Sequence, residues 1–266
     1  MFALVLAAAL LAVPLWQMPP PTVNSFLDQL AGSAFGERVR SVAQAEKDTP
    51  YAGGPLGEGP SGKYDQDPLI DLTRVDCVTF IEQTVALAAS ASYQEAFTLL
   101  QQIRYRGALV DYEARNHFMI ADWIANNPWC HDVSPDLGAE TVALTRRISH
   151  KDFFVRVKAP DLGRDTPDRD VTIHYIPATE AARIQAKIPA PALAVFIGKV
   201  DWLFALHTGL LLRGPDGALS LYHASSKNGK VVAVPLPAFI AQSGDRYLGF
   251  TIYAIENPKG SWPKGD

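Results

Sequence analysis

The sequence predicts an α+β fold, in which helices from the N-terminal half pack on an antiparallel β-sheet or barrel from the C-terminal half. Apolar residues recur at helical spacing between residues 23 and 126, whereas short runs rich in β-branched and aromatic residues dominate after residue 153. A Gly-Pro-Asp-Gly sequence at 214–217 separates two of these runs and predicts a hairpin. Helices followed by antiparallel strands are typical of α+β proteins.

The composition is that of a folded domain and excludes several other classes of protein. Of the 266 residues, 48% are hydrophobic, which is enough to fill a large core. The 24 basic and 28 acidic residues give a net charge of −4, and no basic cluster predicts binding to nucleic acid. Cys77 and Cys130 are too few for a disulfide framework, and no spacing of Cys or His predicts a metal site. We therefore expect neither a metal ion nor another cofactor.

An uninterrupted apolar run occupies residues 2–16. It is shorter than the roughly 20 residues that a membrane-spanning helix needs, and its length fits the hydrophobic region of a secretory signal. A short buried helix is the alternative. We expect residues 1–22 to form a signal peptide or N-terminal hydrophobic segment and residues 23–266 to form a single domain. Export would place that domain in the periplasm or outside the cell, with no stable membrane span in the mature form.

Four helical segments are predicted before the strands. Residues 23–46 carry an apolar stripe at helical spacing, and a second helix begins near Asp76. Residues 93–106 and 117–126 are the third and fourth predicted helices. The stretch TPYAGGPLGEGPSG at 49–62 is dense in Pro and Gly, so we expect it to form a loop.

The strands are expected at residues 153–157, 171–176, 193–200, 206–213, 219–224 and 250–255. Residues 179–187 predict a helical insertion between the second and third of these strands. The hairpin turn at 214–217 makes the fourth and fifth strands antiparallel neighbours. These two strands carry His207 and His223.

Cys77 directly follows Asp76, at the first turn of the second predicted helix. The first turn of a helix has unpaired N–H groups and a partial positive charge, a setting that commonly lowers the pKa of a thiol from about 8.5. The same N–H groups can stabilise an oxyanion. Cys77 is therefore a candidate nucleophile, although a free cysteine is also commonly a small buried apolar residue.

A cysteine nucleophile needs a base, and His207 and His223 are the candidates. Side chains paired across antiparallel strands lie within about 5 Å of each other. His207 could accept the thiol proton while His223 orients its other ring nitrogen. Either histidine alone is more commonly a hydrogen-bonded core residue. Their position on adjacent strands, together with the helix-terminal cysteine, favours catalysis.

The order of these motifs along the chain resembles that of NlpC/P60 cysteine peptidases. The motifs are Thr49-Pro50-Tyr51-Ala52-Gly53-Gly54, then Asp76-Cys77, then His207-Thr208-Gly209 and His223-Ala224-Ser225. Longer stretches at 48–59, 76–82 and 115–124 are similar to the DUF1460 branch of that group, whose characterised members are N-acetylmuramoyl-L-alanine amidases. The resemblance extends from about residue 49 to residue 255.

The resemblance implies a papain-like NlpC/P60 fold and a thiol mechanism that acts on bacterial cell-wall peptides. It makes Cys77 the nucleophile, His207 the base and His223 the residue that orients the base. Tyr51 matches a family tyrosine that lies near the cysteine and helps to hold the oxyanion. The other candidates for the oxyanion or substrate-binding part of the site are Gly53, Gly54, Asp76 and His117.

Two features differ from the common NlpC/P60 pattern and fit the DUF1460 branch: residues 58–71 are inserted, and Val78-Thr79 replaces the usual Ser-Gly after the cysteine.

The leading interpretation is a cysteine amidase that cuts between N-acetylmuramic acid and L-alanine in peptidoglycan fragments. An endopeptidase of the same fold is an alternative, because a fold does not determine its substrate. A peptidoglycan-binding module without turnover is a third interpretation. We expect a monomer whose partner is a muropeptide and not a nucleic acid.

Overall fold

The computed structural model describes residues 13–262, in which helices pack on one antiparallel sheet. The α-helices are α1 (Pro20–Gln29), α2 (Phe35–Ala45), α3 (Cys77–Ala89), α4 (Tyr93–Arg104), α5 (His150–Arg156), α6 (Ala181–Ile184) and α7 (Leu236–Ser243). A π-helix spans Met119–Ile124. Short 3-10 helices cover Leu15–Gln17, Arg106–Ala108, Ser134–Leu137, Ala178–Glu180 and Gln185–Lys187.

The strands are β1 (Cys130–Asp132), β2 (Val142–Ile148), β3 (Arg169–Pro177), β4 (Ala192–Gly198), β5 (Ala205–Arg213), β6 (Leu219–Ser225), β7 (Lys230–Pro235) and β8 (Tyr247–Ile255). They form a sheet in the order β2-β3-β8-β4-β5-β6-β7, and β1 also pairs with β8. Since β2 and β7 end this order, the sheet is open and is not a barrel. β5 and β6 pair antiparallel on either side of the turn at 214–217, which confirms the predicted hairpin.

The structure does not describe residues 1–12, so most of the predicted signal segment lies outside it. In the described remainder of that segment, Leu15 and Met18 are buried in the core, and α1 begins at Pro20. No helix within residues 13–262 is long and apolar enough to cross a membrane.

The prediction of a strand at 153–157 is wrong, because these residues belong largely to α5. The Ser149 side chain accepts a hydrogen bond from the Asp152 N–H at 3.2 Å and so caps the helix. Phe154 is fully buried while Val155 is 54% exposed, so the helix has one apolar face. Aromatic and β-branched residues favour strands in general, and here tertiary packing of the aromatic side chains outweighs that preference.

Two predicted helices also differ in detail. The segment 23–46 is divided into α1 and α2 around Gly32, whose φ of +81° lies in the left-handed region that glycine tolerates best. The segment 117–126 contains a π-helix in place of an α-helix. The Asp122 carboxylate accepts a hydrogen bond from the Phe118 N–H at 3.0 Å and thereby holds the start of this wide turn.

The helix α3 is buried on all sides along most of its length. Every residue from 79 to 89 is buried, and the helix packs against α2, α4, β5 and β6. A helix surrounded by other elements is typical of the core of a domain. The first turn of α3, which contains Cys77, is consequently held beside the strands β5 and β6.

A buried ion pair ties α3 to the loop that precedes it. Glu82 accepts a hydrogen bond from Arg104 at 2.5 Å and another from the Trp123 indole at 2.9 Å. The same Arg104 donates to the carbonyl oxygen of Leu56 at 3.0 Å. Loss of one partner of such a pair leaves an uncompensated buried charge, at a cost of about 3–5 kcal/mol. This pair thus anchors the Pro/Gly-rich loop against the helix that carries Cys77.

Candidate active site

Cys77 is the first residue of α3, and reciprocal hydrogen bonds fix its position. The Asp76 carboxylate accepts hydrogen bonds from the N–H groups of Val78 at 3.0 Å and Thr79 at 2.8 Å. In return the Thr79 hydroxyl accepts from the Asp76 N–H at 2.8 Å. This capping box, with the added bond from Val78, satisfies three N–H groups at the helix start. The N–H of Cys77 lies in the same first turn.

The loop that contains Tyr51 is attached to the same helix start. The Ala52 N–H donates to the Val75 carbonyl oxygen at 3.0 Å, and the Gly54 N–H donates to the Asp76 carboxylate at 3.1 Å. Gly54 has a φ of +58°, which favours glycine there. A Cβ on Gly53 would meet no atom within 4 Å, so space is open beside it. Asp76 therefore acts as a structural cap that joins this loop to α3.

His207 and His223 are in direct contact. The Nε2 atom of His207 and the Nδ1 atom of His223 are 2.8 Å apart, and the two rings meet edge to face. The strands approach closely because Gly209 lies next to β6: a Cβ there would be 2.7 Å from the Tyr222 carbonyl oxygen. Phe239 of α7 packs against both imidazoles, with ring centroids 5.7 and 5.0 Å away.

Cys77 and His207 line one cavity of about 180 Å³. Its other walls are mostly apolar and aromatic, and they include Phe118, Phe153, Trp202, Leu203, Phe204 and Leu206. A second cavity of about 200 Å³ is lined by His207 and His223 but not by Cys77. His207 thus lies between the two cavities, with the sulfur on one side and the His223 ring on the other.

Burial raises the pKa of the Cys77 thiol to about 12, and the negative charge of Asp76 adds to this effect. The backbone N–H groups of Thr208, Cys77 and Val78 act in the opposite direction but do not compensate. The expectation that the helix start lowers this pKa is therefore wrong for the resting site. Desolvation of the thiolate outweighs the favourable N–H groups.

Both imidazoles are also neutral in the resting site. Burial lowers the pKa of His207 to about 3, with further contributions from His223 and Arg246, and burial lowers the pKa of His223 to about 4. Two neutral rings share a single proton in the hydrogen bond between them. When that proton is on His207 Nε2, the Nδ1 atom of His207 is the free acceptor. This tautomer equips His207 to act as a base.

Tyr51 and His117 complete the predicted set of site residues. Burial raises the pKa of Tyr51, and the nearby charges of Cys77 and Asp76 contribute, so its hydroxyl keeps its proton. His117 lines the first cavity, but its Nε2 donates to the Tyr112 carbonyl oxygen at 2.6 Å and its ring packs on Phe153. The structure places His117 in a wall of the site, with its Nε2 bound to the backbone.

The sequence did not identify two residues of this region as part of the site. Thr208 presents its N–H to the Cys77 sulfur, and Phe239 supports both histidines. For Thr208, its position next to His207 is a local signal that it belongs to the site. Phe239 has no such signal in the sequence around it. Within residues 13–262 there is no cluster of three or more His, Cys, Asp or Glu side chains that could hold a metal ion. Cys77 and Cys130 are both free thiols.

Known proteins similar to this chain include one family and several solved structures. A family model described as AmiA-like, N-acetylmuramoyl-L-alanine amidase-like, matches residues 41–245. A crystal structure of a Legionella pneumophila protein with the family-model name DUF1460 has a TM-score of 0.81 at 21% identity, covering 89% of this chain and 94% of that one. An N-acetylmuramoyl-L-alanine amidase from Bacteroides uniformis has a TM-score of 0.62 at 25% identity, covering 84% of this chain and 99% of its own. The comparison with curated proteins finds no match.

The raised pKa of Cys77 predicts how fast the thiol is alkylated at different pH values. Only the thiolate reacts, and below a pKa of about 12 its fraction rises about tenfold per pH unit. In a Cys130→Ala variant, which leaves Cys77 as the only cysteine, we expect the rate constant with iodoacetamide to rise continuously from pH 5 to pH 9. Free cysteine, whose rate levels off above about pH 8.5, is the control. A rate that is constant across this range would reveal a preformed thiolate and contradict the neutral resting site.

Proposed function

Since this chain belongs to the AmiA-like family of N-acetylmuramoyl-L-alanine amidase-like proteins, we propose that it hydrolyses the amide between N-acetylmuramic acid and L-alanine in peptidoglycan fragments. The observation that carries the proposal is the shared cavity of Cys77 and His207, with His207 hydrogen-bonded to His223. All three residues lie within the matched range 41–245. Nucleophile, base and orienting group are the parts that amide hydrolysis by a thiol requires.

The first step is attack of the Cys77 sulfur on the carbonyl carbon of the amide. Because the thiol is neutral at rest, its proton passes to His207 Nδ1 as the carbon–sulfur bond forms. The resulting imidazolium keeps its Nε2 proton and donates a hydrogen bond from it to His223 Nδ1, 2.8 Å away. Without that acceptor the positive charge would form in a desolvated environment at a much higher cost.

The carbonyl oxygen becomes negatively charged in this step and needs hydrogen-bond donors. The Cys77 N–H in the first turn of α3 is a candidate, because a helix start favours negative charge and the neighbouring N–H groups of Val78 and Thr79 already donate to Asp76. The Tyr51 hydroxyl is a second candidate, since its raised pKa keeps the proton in place at neutral pH. These donors favour the tetrahedral intermediate over the uncharged substrate.

The intermediate then collapses as the carbon–nitrogen bond breaks. His207 gives its proton to the departing nitrogen, and the peptide leaves with a free L-alanine amine. The muramyl part stays on Cys77 as a thioester. A water molecule deprotonated by His207 attacks this thioester, which releases the muramyl carboxylic acid and restores the Cys77 thiol.

The first cavity suits the sugar part of such a substrate. Sugars have apolar ring faces, and Phe118, Phe153 and Trp202 supply aromatic surface beside Cys77. An endopeptidase of the same fold would have a peptide in that cavity, and a binding module would hold its ligand without turnover.

A substrate from the cell wall also favours a periplasmic or secreted location, and we propose that the chain acts there as a monomer without a cofactor.

Product analysis distinguishes these functions. We expect the parent protein to convert a defined muropeptide into a peptide with a free L-alanine amine and an intact muramyl sugar, as seen by mass spectrometry. Cys77→Ala removes the attacking sulfur and should abolish both products, whereas Cys130→Ala, the matched control, should retain them. Shortened stem peptides would identify an endopeptidase, and binding without any product would identify a binding module.

The two histidines are predicted to differ in their effects on kcat. His207→Ala removes the base, and general-base assistance typically contributes about 10²–10⁴-fold. His223→Asn keeps a carbonyl oxygen that can accept from His207 Nε2, so we expect it to retain more turnover than His223→Ala. The exposed His174 in β3 provides the control substitution, His174→Ala.

These values of kcat are measured on one defined muropeptide. Equal losses for His223→Asn and His207→Ala would show that His223 does more than orient its neighbour. A His207→Ala variant with the kcat of the parent would exclude His207 as the base.

A further inference from the structure

We propose that the second cavity, the one lined by His207 and His223, binds a carboxylate on the peptide part of the substrate. This inference rests on the proposed amidase function and extends it to a residue that determines specificity. Two basic side chains, Lys227 and Arg246, face the same cavity from different elements. Lys227 lies in the turn between β6 and β7, and Arg246 directly precedes β8.

Neither cation has a carboxylate partner in the described part of the chain. Within residues 13–262 neither Lys227 nor Arg246 takes part in an ion pair, and no acidic side chain lines the cavity. Asp245, the neighbour of Arg246 in sequence, pairs with Lys199 at 2.9 Å instead. Two unpaired cations around one cavity create a positive potential that attracts an anion.

The rest of the cavity lining is also suited to a polar anion. Neutral side chains that can donate hydrogen bonds lie beside the two cations: Ser226, Asn228 and Gln242. The first cavity, by contrast, has mainly apolar and aromatic walls. The two cavities therefore differ in chemistry, as the two ends of a sugar–peptide substrate do.

The position of His207 indicates which end of the substrate lies in this second cavity. In the proposed reaction His207 protonates the departing L-alanine nitrogen, and it is the only one of the proposed nucleophile–base pair that lines this cavity. Because His207 lines both cavities, a peptide whose nitrogen lies beside this base can extend into the second cavity. A peptide carries a carboxylate at its C-terminus, which Arg246 and Lys227 can bind through charge-assisted hydrogen bonds.

The test compares an N-acetylmuramoyl dipeptide that has a free C-terminal carboxylate with the same compound as its carboxamide. For the parent protein we expect a KM about tenfold lower for the carboxylate, because a hydrogen bond to a charged group is worth about one order of magnitude in affinity. Arg246→Gln should lose this preference, and Lys227→Gln should reduce it. Arg164→Gln, which replaces an exposed arginine outside the cavity, is the control and should keep it. A parent without preference, or an Arg246→Gln variant that retains it, overturns the proposal.

Calorimetry separates this proposal from the proposed function. The Cys77→Ala variant is titrated with both compounds, so the measurement does not depend on turnover. Tighter binding of the carboxylate, lost on adding Arg246→Gln, supports the anion site even if the parent protein cleaves neither compound. Equal binding of the two compounds overturns the anion site even if the parent protein cleaves both.

Discussion

The capping of α3 by Asp76 is the interaction on which the geometry of the site depends. Its carboxylate holds the first turn of the helix through Val78 and Thr79, and it also holds the preceding loop through Gly54. Cys77 and Tyr51 are thereby brought to one place, although 26 positions separate them in the sequence. The same charge has a cost: next to the sulfur it helps to raise the pKa of the thiol. Asp76 favours the fold of the site and disfavours a resting thiolate.

This conflict explains why the proposed mechanism needs His207 and His223. In the apolar surroundings of β5 and β6, neither a thiolate nor an imidazolium is favoured before substrate binds. In the proposed mechanism the neutral thiol gives its proton to the neutral base as the sulfur attacks, so charge develops in the transition state and in the tetrahedral intermediate that follows. Hydrogen-bond donors and acceptors already in position then stabilise that charge without reorganisation, which is an effective form of electrostatic catalysis. His223 Nδ1, 2.8 Å from His207 Nε2, is the acceptor behind the proposed base.

Local patterns in the sequence predict much of the fold and the central residues of the site. The position of Cys77 at a helix start and the hairpin that joins the strands of His207 and His223 both follow from patterns a few residues long. The strand β2, largely exposed at the edge of the sheet, and the helix α7 have no comparable signal. The depressed histidine pKa values and the two cavities depend on burial by distant segments, such as Phe239 against both rings. The role proposed for Arg246 likewise depends on the three-dimensional arrangement, because nothing in its immediate sequence relates it to His207.

The proposed reaction depends on a thioester between Cys77 and the muramyl part of the substrate. The most direct measurement is acid quenching of the protein during turnover of an N-acetylmuramoyl peptide, followed by mass spectrometry of the intact chain and of its proteolytic fragments. We expect an added mass equal to the muramyl acyl group, located on the fragment that contains Cys77 and absent from Cys77→Ala. An added peptide acyl group on Cys77, or turnover by the Cys77→Ala variant, would contradict it.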